Sequence, residues 1–311
     1  MKIGETLIKL LGVKPWEKVL VLTDFKKEDI GRKIYEELKD KAIVKLFVMK
    51  TRSRDGEEPT RRGRELMLES DVIFAITFYS ITHTKTVRDC IRKGKRIVSM
   101  PNLSEFSITN GGLTADYEQI REITKDLLDL VKDSRKVKVV ARNGTNVEFS
   151  VGGRKWYKDD GWLNEMGSLG NLPAGEVFVA PIEDSVNGTI VFDSFPLSSL
   201  KLVLKVKDGK CYDVKGDSEK NLEKIFIKLG EKARQIAEFG IGTNPKAKII
   251  GNILEDEKVL GTCHFALGNN VSFGGKNDVS FHLDGIIKDP TIFVDEKEIM
   301  RNGVLKLNIK F

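Results

Sequence analysis

Through the first hundred residues, short unbroken apolar runs alternate with amphipathic stretches. KVLVLTD (18–24), AIVKLFVM (42–49), DVIFAIT (71–77) and KRIVSMP (95–101) are apolar almost throughout, as strands buried on both faces are. IGRKIYEELKD (30–40) and HTKTVRDCIRKG (83–94) carry helical spacing instead. The N-terminal MKIGETLIKLLGVKPWEKVLVL reads as a short amphipathic helix running into the first strand, not as a signal peptide. Strand and helix alternating through short connections imply a small parallel sheet covered by helices. No GxGxxG follows the first strand, only Thr23-Asp24-Phe25, so a dinucleotide site is unsupported.

The pattern changes near residue 110. DYEQIREITKDLLDLVKDS (116–134) and NLEKIFIKLGEKARQIAEFG (221–240) each fit a helix. Asn143-Gly144, Asn187-Gly188, Asp208-Gly209 and Asn302-Gly303 are each flanked by alternating apolar residues, which predicts β-hairpins. The expected fold class is an α/β N-terminal domain with a small parallel sheet (1–110), followed by an α+β domain rich in antiparallel strands and hairpins (111–311).

Composition narrows the function classes. The chain is 40% apolar and 32% charged, as soluble globular proteins are, and no apolar run is long enough to span a membrane. Net charge is +6, but the basic residues are interleaved with acids and lack an aromatic-basic cluster, so no nucleic-acid partner is expected. Cys90, Cys211 and Cys263 have neither a disulfide nor a zinc-finger spacing, which suits a reducing cytoplasm.

Histidine is scarce: His83, His264 and His282 are the only three. Two of them fall in GTCHFALGNNVSFGGKNDVSFHLDG (261–285), where His282 precedes Asp284 by two positions. In a strand such a pair shares one face and converges as metal ligands do. Imidazole with carboxylate suits zinc, manganese, iron or cobalt. Taken singly, His264 and His282 also fit satisfied core histidines, Glu176 a turn residue and Glu238 a helix-terminal acid. His83 lies apart, in the first domain.

NLPAGEVFVAPIEDSVNGTIVFD (171–193), EFGIGTNP (238–245) and GTCHFALG (261–268) followed by HLDG (282–285) resemble the thermophilic metallo-aminopeptidase family, which includes aminopeptidase T and related leucyl aminopeptidases. DYEQIREITKDLLDLV and NGTNVEFSVGGR resemble it too, and more weakly so does TFYSITHTKTVRDCIRKGKRIVSMP. The likeness covers nearly the whole chain and is strongest over 141–285. It implies metal ligands at Glu176, Glu238, His264, His282 and Asp284 for two divalent ions (Zn, Co or Mn), with one carboxylate shared. It further implies an aminopeptidase acting on peptides with a free N-terminus through a metal-activated water, and a homodimer. Glu183, one strand length beyond Glu176, is the candidate general base, and Glu176 and Glu183 are the expected catalytic carboxylates. The sequence departs from the family's HxALGxxY motif at Val271, where the family has tyrosine.

A second reading takes His264, His282 and Asp284 as a two-His-one-carboxylate set for Fe(II). That set belongs to mononuclear ring-cleaving enzymes such as 2,5-dihydroxypyridine 5,6-dioxygenase, whose fold the family's resembles. Glu176 and Glu238 weigh toward the peptidase, since an iron triad leaves them without a necessary task. A third reading is a catalytically impaired peptidase-like binding protein.

Overall fold

The computed structural model describes residues 3–198 and 201–306. They form two compact units, one of residues up to Tyr117 together with Asp159–Ala174, the other of Glu118–Lys158 together with the chain from Gly175 onward. A single boundary near residue 110 therefore does not describe the division, because the chain returns to the first unit. No helix among the described residues is long and apolar enough to cross a membrane.

The first unit is built on a parallel sheet. Its strands run in the order Ile43–Met49, Lys18–Asp24, Val72–Ile76, Arg96–Ser99, Leu169–Asn171. The four apolar runs of the N-terminal sequence thus form the sheet, and the returning segment adds a fifth strand, with Asn171 Nδ2 donating to Ser99 O at 3.1 Å. A helix at Arg61–Glu69 has no counterpart in the sequence reading, because its charged start masks the apolar positions. Thr60 caps it, accepting from Gly63 N at 3.3 Å, and Leu66 and Met67 are buried.

The second unit holds an eight-stranded sheet and a five-stranded sheet. Pairing within the eight-stranded sheet is antiparallel, and so is pairing among Glu176–Val179, Ile236–Gly242, Thr262–Gly268 and His282–Lys288 in the five-stranded one. Their apolar sides share one core. Phe149 of one sheet meets Phe239 and Phe265 of the other, with ring centroids 5.1 and 5.6 Å apart. Burying each such ring stabilises by roughly 1.5–3 kcal/mol, which fixes the height of the five-stranded sheet over this core.

Three of the four expected hairpin turns form. Asn143-Gly144 joins Lys136–Val140 to Asn146–Ser150, and Asp208-Gly209 and Asn302-Gly303 have both φ angles positive, as a tight two-residue turn requires. Asn187-Gly188 instead opens the strand Asn187–Phe192. There a Cβ on Gly188 would lie 2.2 Å from Asn146 O, so glycine serves close strand approach, not a turn. The expected helix over 221–240 also divides. It ends at Leu229, Gly230 turns the chain with φ of 75°, and Ile236–Gly242 is a fully buried central strand. Glu238 is therefore a strand residue rather than a helix-terminal one.

Candidate metal centre

The five-stranded sheet shows how alternation sorts its residues. Phe239 and Ile241, Cys263, Phe265 and Leu267, and Val177 and Val179 all turn to the core. The residues between them face the other way. On that face the registers Gly242↔Glu176, Gly240↔Phe178, Gly240↔His264, Glu238↔Ala266, Ala266↔Asp284 and Gly268↔His282 interleave chemistry-bearing side chains with glycine and alanine. The small residues are required for space. A Cβ on Gly240 would lie 2.1 Å from His264 Nε2 and 2.2 Å from Cε1, so the imidazole lies across a strand that only glycine leaves open.

Glu176, Glu238, His264, His282 and Asp284 meet on this face. His264 Nε2 lies 3.4 Å from Glu176 Oε2 and 3.5 Å from Glu238 Oε1. His282 Nε2 lies 3.5 Å from Glu238 Oε2 and 3.3 Å from Asp284 Oδ2. Glu238 thus links two groups, Glu176–Glu238–His264 and Glu238–His282–Asp284, whose donor atoms in each case lie within 4.8 Å of one another. Asn269 O stands 2.9 Å from His282 Nδ1; a carbonyl only accepts, so Nδ1 carries a proton and Nε2 is the nitrogen turned toward the carboxylates.

The donor set fits a divalent cation. His264 is fully buried, yet both ring nitrogens lack hydrogen-bond partners, and so does Glu176 Oε2. Orphaned buried donors and acceptors are costly unless something else satisfies them. Burial by itself would depress the His264 pKa, but Glu238, Glu176 and Asp284 outweigh it and push it up to about 9. His282 is likewise pushed up to about 10, chiefly by Asp284 against the effect of burial. A face that draws protons onto two imidazoles this strongly offers the same attraction to a metal ion.

Two residues that the sequence reading passed over complete the site. Lys258 is 1% exposed, and its Nζ lies 2.6 Å from Glu176 Oε1 and 2.8 Å from Glu257 Oε1. Desolvation nonetheless raises the Glu176 pKa to about 8, with Lys258 opposing. In the sequence EDEK looks like a solvated surface run, which hides both residues. Glu183, by contrast, belongs to a clamp. It pairs with Arg154, which also donates to Gly274 O, and it accepts from Lys276 N at 2.6 Å and Asn270 Nδ2 at 3.4 Å. These hydrogen bonds, with the Arg154 charge, hold its pKa down against its partial burial. A carboxylate so engaged is a poor proton acceptor, and the expected general-base role gives way to anchoring the 270–276 loop. A cavity of about 720 Å³ opens beside this clamp, lined by Arg154, Glu183 and Lys276 rather than by the donor set.

Beside His282, whose side chain is 34% exposed, stands an aromatic wall. Phe273 meets the imidazole edge-on at 6.1 Å, Phe178 meets Phe273 at 5.7 Å, and Tyr157 stacks on Phe178 at 5.6 Å. Val271, at the family's tyrosine position, is half exposed on the short turn that carries Phe273. His83 belongs to the other unit, in the turn before the helix Lys85–Arg92.

A family model described as 2,5-dihydroxypyridine 5,6-dioxygenase (NicX) matches residues 5–307. A curated 2,5-dihydroxypyridine 5,6-dioxygenase of Pseudomonas putida is 24% identical over 192 residues, covering 56% of this chain. The match spans about half the length of that relative, 55%. The solved 2,5-dihydroxypyridine dioxygenase of Pseudomonas putida KT2440 superposes with a TM-score of 0.79 at 18% identity, covering 97% of this chain and 96% of that one. Wild-type AmpT from Thermus thermophilus superposes with a TM-score of 0.69 at 15% identity, covering 98% and 99%. Both likenesses concern the fold. The resemblance to metallo-aminopeptidases therefore holds for architecture, while the expected peptide hydrolase, with its aminopeptidase and protease character, is overturned by the dioxygenase family match. The physical reason is that the Glu, Gly and His spacing encodes a metal-ready sheet face, which different chemistries share.

Proposed function

The chain belongs to the 2,5-dihydroxypyridine 5,6-dioxygenase (NicX) family, and from that premise we propose that it is a ring-cleaving dioxygenase of hydroxylated nitrogen heterocycles, using Fe(II). The carrying observation is the donor set itself: two imidazoles and three carboxylates on one sheet face, with orphaned nitrogens on His264 and one partly exposed imidazole, His282, beside aromatic rings. His264, His282 and Asp284 would hold the ion as a two-His-one-carboxylate set, with Glu238, which shares a donor group with each imidazole, standing between them. When bound, Fe(II) supplies the one-electron chemistry that lets O2 react with a closed-shell ring.

The chain's own residues do the rest. Asn269 O fixes the tautomer of His282, and Phe149, Phe239 and Phe265 hold the sheet that carries the donors. Phe273 and Phe178 offer apolar faces against which a flat heterocycle is oriented next to His282. The reaction balances without a further reductant, since both atoms of O2 enter the opened product and one ring carbon–carbon bond breaks.

The test is reconstitution with Fe(II) under anaerobic conditions, followed by aerated substrate and a record of ring absorbance. 2,5-Dihydroxypyridine or a close hydroxypyridine should lose its ring band, and His282→Ala should abolish the loss. An iron-loaded protein that leaves every hydroxylated pyridine and catechol intact would sink the reading.

A further inference from the structure

A lysine among metal ligands needs an explanation. Lys258 is one of the largest fully buried side chains in the chain, and its ammonium touches Glu176 and Glu257 at 2.6 and 2.8 Å. Glu176 in turn reaches His264 at 3.4 Å through its other oxygen. Four carboxylates, of Glu176, Glu238, Glu257 and Asp284, crowd this region, and the ammonium of Lys258 stands among them, paired to two. Two overlapping donor groups share Glu238, which by donor count alone would accommodate two ions.

We propose that Lys258 stands in place of a second cation and limits the centre to a single metal ion. Its ammonium neutralises Glu176, which stands three strands from His282 and Asp284 in sheet order, and Glu257, which itself lies near Asp284. A second divalent ion in the Glu176–Glu238–His264 group would face a fixed ammonium that already holds one oxygen of Glu176, and like charges that close in a desolvated site repel strongly. Glu176 is then the counter-ion of Lys258, not a ligand of a second ion. This also gives a task to Glu176, an acid that a mononuclear triad leaves unused. The inference rests on the metal-centre reading above, but not on the substrate or the reaction.

Full-length protein is stripped of metal, incubated with excess manganese(II) and freed of unbound ion by gel filtration. Bound metal is counted by mass spectrometry, and electron paramagnetic resonance reports whether it is isolated or exchange-coupled. The wild type should hold about one ion per chain with an uncoupled spectrum. Lys258→Met, of similar length and neutral, should hold about two with a coupled spectrum. Lys258→Gln, which keeps a hydrogen-bond donor toward Glu176, should do the same if the methionine variant does not fold. Two ions in the wild type, or a single ion in either folded variant, would overturn the proposal while leaving the metal-dependent function standing. No bound ion in the wild type would overturn both.

Discussion

Gly240→Ala tests whether the sheet face is shaped around the His264 imidazole. Gly240 does not have a positive φ, so alanine fits its backbone, and on that ground alone the change should stabilise by roughly 0.4–1 kcal/mol through the unfolded state. The structure requires the opposite sign. The new Cβ would fall 2.1 Å from His264 Nε2 and 2.2 Å from Cε1, far inside contact distance, in a fully buried pair of strands. Forcing a methyl into a packed site typically costs about 1–3 kcal/mol. The ring can relieve the clash only by turning away from Glu176 and Glu238, so metal affinity should fall by roughly 10–100-fold, as when a ligand loses its orienting surroundings. Urea midpoints and a metal-binding isotherm measure the two effects. A double-mutant cycle isolates the cause: in a His264→Ala background the obstacle is gone, and Gly240→Ala should become neutral or stabilising. Equal destabilisation in both backgrounds, or a stabilised single variant with unchanged metal binding, would refute the reasoning.

Arg154→Met should release Glu183 and Gly274 O, speed hydrogen exchange of the 270–277 amides and weaken metal binding about tenfold through His282, with the urea midpoint little changed; unchanged exchange in that segment would remove the clamp's role. Metal-free protein should lose stability as pH rises. The imidazoles of His264 and His282 have folded pKa values of about 9 and about 10 against about 6.5 unfolded, so their contribution is complete below pH ~6.5 and disappears through those folded values. Urea midpoints in chelator at pH 6, 8 and 10 should fall in that order, and a flat or rising series contradicts it. Over the same range apparent metal affinity should rise, because binding displaces those protons. Phe239→Ala should cost about 3–5 kcal/mol by opening a cavity against Phe149 and Phe265, and a loss under 1 kcal/mol would mean the two sheets do not share that core.

The parallel sheet is legible from the unbroken apolar runs: Lys18–Asp24, Val72–Ile76 and Arg96–Ser99 are covered on both faces and show no polar alternation, while Ile43–Met49, at the sheet edge, is apolar yet only partly buried. His282 and Asp284 fall on one strand face by their two-residue spacing, as the structure has them. Glu238 is harder. NLEKIFIKLGEKARQIAEFG keeps helical spacing past Gly230, and only the tertiary demand for a central strand turns Ile236–Gly242 extended. Lys258 and Glu257 are invisible for a different reason: a charged run reads as solvated unless buried partners are known, and Glu176, the partner of Lys258, is 82 residues away. The same motif spacing also carried the aminopeptidase expectation. Spacing specifies where the donors stand, whereas the bound ion and its open positions decide between hydrolysis and oxygenation.

Oxygen bookkeeping on the iron-loaded enzyme tests the central claim most directly. Protein reconstituted with Fe(II) is given 2,5-dihydroxypyridine under 18O2, with dissolved oxygen followed by electrode and the product weighed by mass spectrometry. One O2 consumed per ring opened, with both heavy atoms in the product and neither event in His282→Ala, is the predicted result. Ring loss without oxygen consumption, or a product carrying no label from O2, would contradict it.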